Sequence, residues 1–138
     1  MQRNVVIVGA GRLGRVLAAR LSSTGDSVIL VDQSSIALDR VTSDFTGFKV
    51  RGDASELGTL QRAKMAEADV VFATTESDNL NLMIAQAARH HFGVEQVRAR
   101  VSDPSRESLY ARLGVLTVNP TTLAAEACLS GLNEETSA

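Results

Sequence analysis

The apolar run Val5-Val6-Ile7-Val8 leads without a break into Gly9-Ala10-Gly11-Arg12-Leu13-Gly14, and a helical pattern begins directly after it. A Gly-x-Gly-x-x-Gly run is weak by itself. Between a four-residue apolar strand and a helix it confines the chain to a tight strand–turn–helix unit. Gly9 permits the turn out of the strand, Gly11 has no Cβ to hold a pyrophosphate away, and Gly14 lets the helix lie close on the strand. The helix start offers unpaired N–H groups and a positive dipole end to phosphates. Leu13, Val16, Leu17, Ala18 and Leu21 recur at three- and four-residue spacing and form the apolar face of that helix, which Gly25 closes.

The rest of the chain repeats the unit. Val28 to Val31 is a second strand, and Ser34 or Ser35 can cap a helix through about Val41. Phe48-Lys49-Val50 is a shorter, more polar strand expected near an edge, followed by a helix carrying Leu57, Leu60 and Ala63. Val70 to Ala73 is the fourth strand, Asp78 to His91 the longest helix, and Val97 to Val101 a strand interrupted by Arg98 and Arg100. Ser105 to Leu113 reads as helix and Val115 to Val118 as the sixth strand; Pro120 suits the first turn of a last helix with Leu123, Ala124, Ala127, Cys128 and Leu132. Right-handed crossovers then give an α/β, Rossmann-type, doubly wound fold: a six-stranded parallel sheet with helices on both faces. Residues 1–119 form the nucleotide-binding domain, and 120–138 a crossover helix and tail with no second lobe.

Composition fits that fold. With 4% aromatic residues and no Trp, the core must be built from aliphatic side chains, which suits parallel strands buried on both faces. A net charge of −2 provides no basic footprint for nucleic acid. No apolar stretch approaches the roughly 20 residues that span a bilayer, and the first strand begins too early for a signal peptide. The single Cys128 excludes an intrachain disulfide and a Cys-rich zinc site, and it falls on the apolar face of the last helix as a small core residue. His90 and His91 have no carboxylate or Cys spaced to make metal ligands with them. A cytoplasmic protein with neither metal site nor direct membrane insertion is expected.

Five groups mark the carboxyl edge of the sheet as the place where chemistry converges. Asp32 ends the second strand about 20 residues beyond the glycines, where a carboxylate accepts the ribose hydroxyls of an adenosine. It also repels a 2′-phosphate, and the adjacent Gln33 and Ser34 carry no positive charge, so NADP is disfavoured. Asp53, with Ala54 beside it, is placed to accept the exocyclic amine of adenine; it can equally cap the helix containing Leu57. Thr74, Thr75 and Glu76 follow the fourth strand and face a phosphate or second ribose, though small hydroxylated residues suit any such turn. Arg100 on a half-buried strand needs an anionic partner, either a bound phosphate or Asp103 or Glu76. Arg12, within the glycine turn, can reach a terminal phosphate or simply stay solvated. The cofactor-binding set is therefore Gly9, Gly11, Arg12, Leu13, Gly14, Asp32, Gln33, Asp53, Ala54, Thr74, Thr75 and Arg100; no catalytic residue is identified.

With these pieces in place the sequence resembles the nucleotide-binding lobe of the KTN/RCK family, the TrkA-type regulators of potassium channels and transporters. The likeness covers nearly the whole chain. Its more particular parts are Gly52-Asp53-Ala54-Ser55, the Thr74-to-Asn81 turn with Asp78-Asn79-Leu80-Asn81 opening a helix, and Ala99-Arg100-Val101. The resemblance implies NAD(H) or ATP/ADP in the cleft, with Asp32 on ribose and Asp53-Ala54 near adenine. It places the Gly9–Gly14 turn and Arg100 on the phosphates, and gives Arg12 a part in telling ATP from ADP. It implies a homodimer, or a higher ring, on a membrane-embedded potassium transporter or channel subunit, with the protein peripheral to the inner face of the membrane. Such proteins usually continue into a second, smaller lobe, whereas this sequence stops at Ala138. The last helix should then leave Leu123, Ala127 and Leu132 in search of a partner.

Two other functions compete with a regulatory, non-enzymatic subunit. The chain can be the cofactor domain of an NAD-dependent oxidoreductase, which requires a substrate pocket and an acid–base residue near the nicotinamide. It can also be a redox-sensing module for a partner outside transport.

Overall fold

The computed structural model describes residues 2–132; of the last helix and tail expected over 120–138, residues 133–138 lie outside them. Six strands form one all-parallel sheet: β1 (Asn4–Val8), β2 (Ser27–Asp32), β3 (Phe48–Arg51), β4 (Val70–Ala73), β5 (Gln96–Arg100) and β6 (Val115–Val118). Their order is β3-β2-β1-β4-β5-β6. The chain winds outward from β1 to one edge and then, after crossing back to β4, to the other. This is the doubly wound topology, with its switch point between β1 and β4.

Alternation along the strands divides the core in two. Val5 and Ile7 of β1 with Val28 and Leu30 of β2 pack against α1 (Arg12–Ser23) and α2 (Ser35–Asp39) through Ala18 and Leu38. Val6, Val8, Val71, Val97 and Ala99 face the opposite way. They are covered by α3 (Leu57–Arg62), α4 (Asp78–Gln86) and α5 (Glu107–Arg112) through Leu60, Ile84, Ala88 and Tyr110. Continuous apolar strands thus arise because both faces of the central strands are covered.

The α1 face is covered only in part. In register across it lie Phe72 of β4, Arg98 of β5 and Leu116 of β6. Arg98 is exposed and Leu116 is 54% exposed, because no helix of the described residues crosses that half. The last helix, α6 (Pro120–Leu129), starts beyond β6 and has no buried residue. Leu123, Ala127 and Leu129 on it are exposed, as is Leu132 beyond its end.

Several sequence expectations are corrected here. The long helix does not run regularly to His91: α4 ends at Gln86 and a π-helical turn, Ala87–His91, finishes it. The Arg89 guanidinium donates from that turn to the carbonyls of Val94, Glu95 and Leu113 and so ties it to the segments that follow. The next helix opens as a 3-10 turn, Pro104–Arg106. Val16 is 48% exposed rather than packed on the sheet; Gly14, Ala18 and Ser22 make the buried stripe of α1. Cys128 is exposed and not a core residue, because nothing among the described residues lies over its helix. The last helix stops at Leu129, where Ser130 turns to extended backbone and Gly131 to positive φ.

Candidate functional site

A cleft of about 1030 Å³ opens at the carboxyl ends of the strands, across the switch point. Its walls come from four successive strand exits: residues 9–13 after β1, Asp32 and Gln33 at β2, 52–55 after β3, and 74–76 after β4. Arg100 at the end of β5 and Pro120 at the start of α6 complete it. Of the twelve residues expected at the site, eleven line this cleft. Gly14 alone lies behind it.

The glycine turn has three different reasons for its residues. Gly9 has φ +112°, and a Cβ there would come within 2.8 Å of the Thr74–Thr75 backbone. At Gly14 a Cβ would lie 1.8 Å from the Gly9 carbonyl oxygen, so the helix can approach the strand only without one. Gly11 is the opposite case. A Cβ there meets no protein atom within 4 Å, so what its absence keeps open is the cleft. Gly11 is also the N-cap of α1 and supplies no capping side chain, which leaves the first-turn amides for a guest.

Asp32 is held in a fixed orientation by the backbone. Its Oδ2 accepts the Ala10 N–H and its Oδ1 the Ser34 N–H, each at 2.8 Å. One of these bonds ties the carboxylate to the glycine turn itself. Each oxygen keeps a second lone pair for a diol. Asp53 is anchored differently: its Oδ1 accepts from both the N–H and the hydroxyl of Ser55, which holds the Asp53 carboxyl below its ordinary value of 3.8. The expected capping role is corrected, since the N-cap of α3 is Glu56; Asp53 closes the turn before it. Ala54 is buried beside it.

The hydroxyls of the fourth exit are turned into the protein. Thr74 Oγ1 donates toward the carbonyls of Val8 and Gly9, and Thr75 Oγ1 donates to Asn81 Oδ1 at 2.7 Å. Both residues shape the cleft wall, while their hydroxyls hold the turn together.

Arg100 answers a question the sequence left open. Neither Asp103 nor Glu76 pairs with it: the two ion pairs among the described residues are Arg3–Asp26 and Lys49–Asp39. The Asp103 carboxylate instead accepts from Ser105, which lowers its pKa. Arg100 Nε is buried with no hydrogen-bond partner in the protein, an arrangement that costs free energy unless an acceptor enters the cleft. Arg12 is exposed at the rim.

Two cationic residues of the cleft escaped sequence reasoning. Arg15 reaches back from the first turn of α1 to donate to the Ala10 carbonyl at 2.8 Å. Arg40, the C-cap of α2, also lines the cleft. Only the fold could locate either. Asn81 was legible in principle, because it stands three residues before Ile84 on the buried side of α4, where a polar residue calls for a reason.

An adenine nucleotide fits what is present. The oriented Asp32 carboxylate has lone pairs to spare, Gly11 leaves room at a helix N-terminus, and the buried Nε of Arg100 lacks an acceptor on the far side. No group of three or more His, Cys, Asp or Glu able to hold a metal ion occurs among the described residues. No helix among them is long and apolar enough to cross a membrane.

Comparison with known proteins gives a coherent picture. The TrkA-N domain family model matches residues 5–120. The Trk system potassium uptake protein TrkA of Streptomyces coelicolor is 40% identical over 115 residues, covering 83% of this chain and 52% of that protein. The chain thus spans about half the length of the curated relatives it matches. Among solved structures, the GsuK RCK domain superposes with a TM-score of 0.81 at 26% identity, covering 98% of this chain and 29% of the other. The Shewanella denitrificans Kef CTD in its AMP-bound form has a TM-score of 0.77 at 26% identity, over 96% and 80% of the two chains.

Proposed function

Because the chain belongs to the TrkA-N domain family, we propose that it is a nucleotide-sensing regulatory domain of a potassium uptake or channel system, not an enzyme. Its cleft takes NAD(H) or ATP/ADP and disfavours NADP. One observation carries this reading: the buried, partnerless Arg100 Nε stands in the same cleft as the Gly9–Gly14 turn and the oriented Asp32 carboxylate. A phosphate chain laid on the helix N-terminus supplies the acceptor Arg100 lacks, with the adenosine ribose on Asp32. The solved relative with AMP and the potassium uptake relative support the ligand class and the setting.

In this reading the cleft contents bias a membrane-embedded partner to which the domain is peripheral on the cytoplasmic side. The exposed apolar residues of α6 serve assembly, first as a homodimer.

Melting temperature measured against NAD, NADH, NADPH, ATP and ADP tests the binding step. A ligand that binds only the folded state adds about 2.7 kcal/mol at a hundredfold excess over Kd. Stabilisation by NADH or ATP, absent with NADPH and lost in Asp32→Ala, is the expected outcome. A melt that no nucleotide shifts would sink the reading.

A further inference from the structure

Asn81 lies on the fourth residue of α4 and is 0% exposed, on the stripe that buries Ile84, Ala85 and Ala88 against the sheet. A buried amide is costly unless its bonds are made, so its partners explain its presence. Oδ1 accepts the Thr75 N–H at 3.0 Å and the Thr75 hydroxyl at 2.7 Å. Nδ2 donates to the Thr75 carbonyl at 3.0 Å and the Arg100 carbonyl at 2.9 Å. Two lone pairs and two protons are all used. An apolar residue would pack here as Ile84 does, and an ionised Asp has no proton to donate.

The partners are not arbitrary. Strand pairing between β4 and β5 ends at Ala73 opposite Ala99, one residue before Arg100. The Asn81 amide takes up the Arg100 carbonyl beyond the end of that ladder. Its other bonds hold Thr75, the residue with which β4 leaves the sheet. A single side chain therefore joins two walls of the cleft and fixes the backbone from which Arg100 extends. The head of Arg100 keeps a buried Nε without a partner. Backbone held and head unengaged is what a preorganised anion donor requires.

We infer that Asn81 is a positioning residue for the phosphate end of the cleft, acting through Arg100; this rests on the nucleotide reading above. Asn81 touches no ligand itself. Its effect is confined to the part of the ligand that Arg100 meets, and the adenosine end, held by Asp32 on the other side of the switch point, is indifferent to it.

The test is calorimetric titration of ADP and of adenosine into the wild type, Asn81→Ser, Arg100→Gln and the double variant. In Asn81→Ser, ADP affinity is expected to fall about tenfold while adenosine affinity stays within about twofold. In the Arg100→Gln background the same change is expected to cost ADP less than about twofold more. Equal losses for both ligands would reduce Asn81 to a packing role, and losses that add fully to those of Arg100→Gln would show that it does not act through Arg100. Either result overturns the inference and leaves the nucleotide reading standing. Wild-type protein that binds no ADP would overturn both.

Thr75→Val, nearly isosteric and outside the helix, is run beside these in case Asn81→Ser does not fold. It removes the hydroxyl bonded to Asn81 Oδ1 and is expected to lower the ADP-to-adenosine preference by about threefold. An unchanged preference there, with Asn81→Ser unfolded, also overturns the inference.

Discussion

The two halves of one sheet are finished differently. Around β1 and β2 both faces are covered, and Val5, Ile7, Val28 and Leu30 are at most 2% exposed on the α1 side. Around β5 and β6 the α4 side is equally closed by Ile84, Ala88 and Tyr110, but the α1 side shows Arg98 and Leu116 to solvent. The first half is complete within this chain. The second has one finished face and one bare one, flanked by a last helix with no buried residue. A parallel sheet is normally covered on both sides, so the open α1 side of β5 and β6 is where this fold departs from the usual pattern. On the α1 side the sheet is closed beside the switch point and open over β5 and β6, although single exposed apolar side chains such as Ile36 and Phe48 also occur in the first half.

The largest test of that contrast is Gly14→Ala. The new Cβ would lie 1.8 Å from the Gly9 carbonyl oxygen, a backbone atom that cannot step aside. A loss of at least about 4 kcal/mol, read as failure to show a cooperative urea transition, is expected. Full native stability in this variant would mean that α1 is not seated on β1 as described.

A matched pair comes next. Ile7→Ala, fully buried in the covered half, is expected to cost about 3 kcal/mol in urea melts. Leu116→Ser, 54% exposed on the bare face, is expected to change the stability of the dilute, monomeric domain by less than about 0.5 kcal/mol. If the serine variant costs as much as the alanine one, the bare face is covered in solution, and the contrast between the halves disappears.

The smallest effect concerns acid. The Arg3 guanidinium, bonded to both oxygens of Asp26, holds that carboxyl below its ordinary value of 3.8 at the entry to β2. Ser105 does the same for Asp103 at the entry to α5. A carboxyl depressed in the folded state contributes stability that is complete above its unfolded pKa near 4. That contribution is lost as the pH falls through the lowered folded value. Urea stability should therefore drop on acidification below about pH 4. Asp26→Asn should flatten that drop more than Asp103→Asn, because Asp26 is buried in an ion pair with Arg3, whereas Asp103 is exposed and feels Arg106 without pairing with it. The reverse order would place the acid-sensitive contacts in the β5–β6 half.

How much of this was legible in the sequence follows from the range of each interaction. Strands such as Val5–Val8 and Val70–Ala73 announce themselves because burial on two faces demands unbroken apolar runs. The glycine turn and Asp32 are legible because their spacing is imposed by one local unit. Cys128 and Val16 were misplaced for a single reason: helical periodicity shows which residues share a face, not whether anything lies against it. Asp53 was given the wrong turn to cap because two adjacent turns compete for it. Arg40 and Arg15 enter the cleft only through the way α1 and α2 meet the sheet. That the Arg100 Nε has no partner, while the Asp103 carboxylate accepts from Ser105, is a pairing that periodicity does not encode.

One detail of the last helix sets a mechanical scale. Pro120, its first residue, borders the cleft, and Asn119 before it is buried and accepts the Thr121 and Thr122 amides, so the root of the helix is firmly set. Ten residues beyond that root make an arm about 15 Å long. A tilt of ~10° at the root would carry the far tip through roughly 2.6 Å by the geometry of a rigid rod of that rise. Any displacement beside Pro120 would in this way be largest at the exposed Leu129.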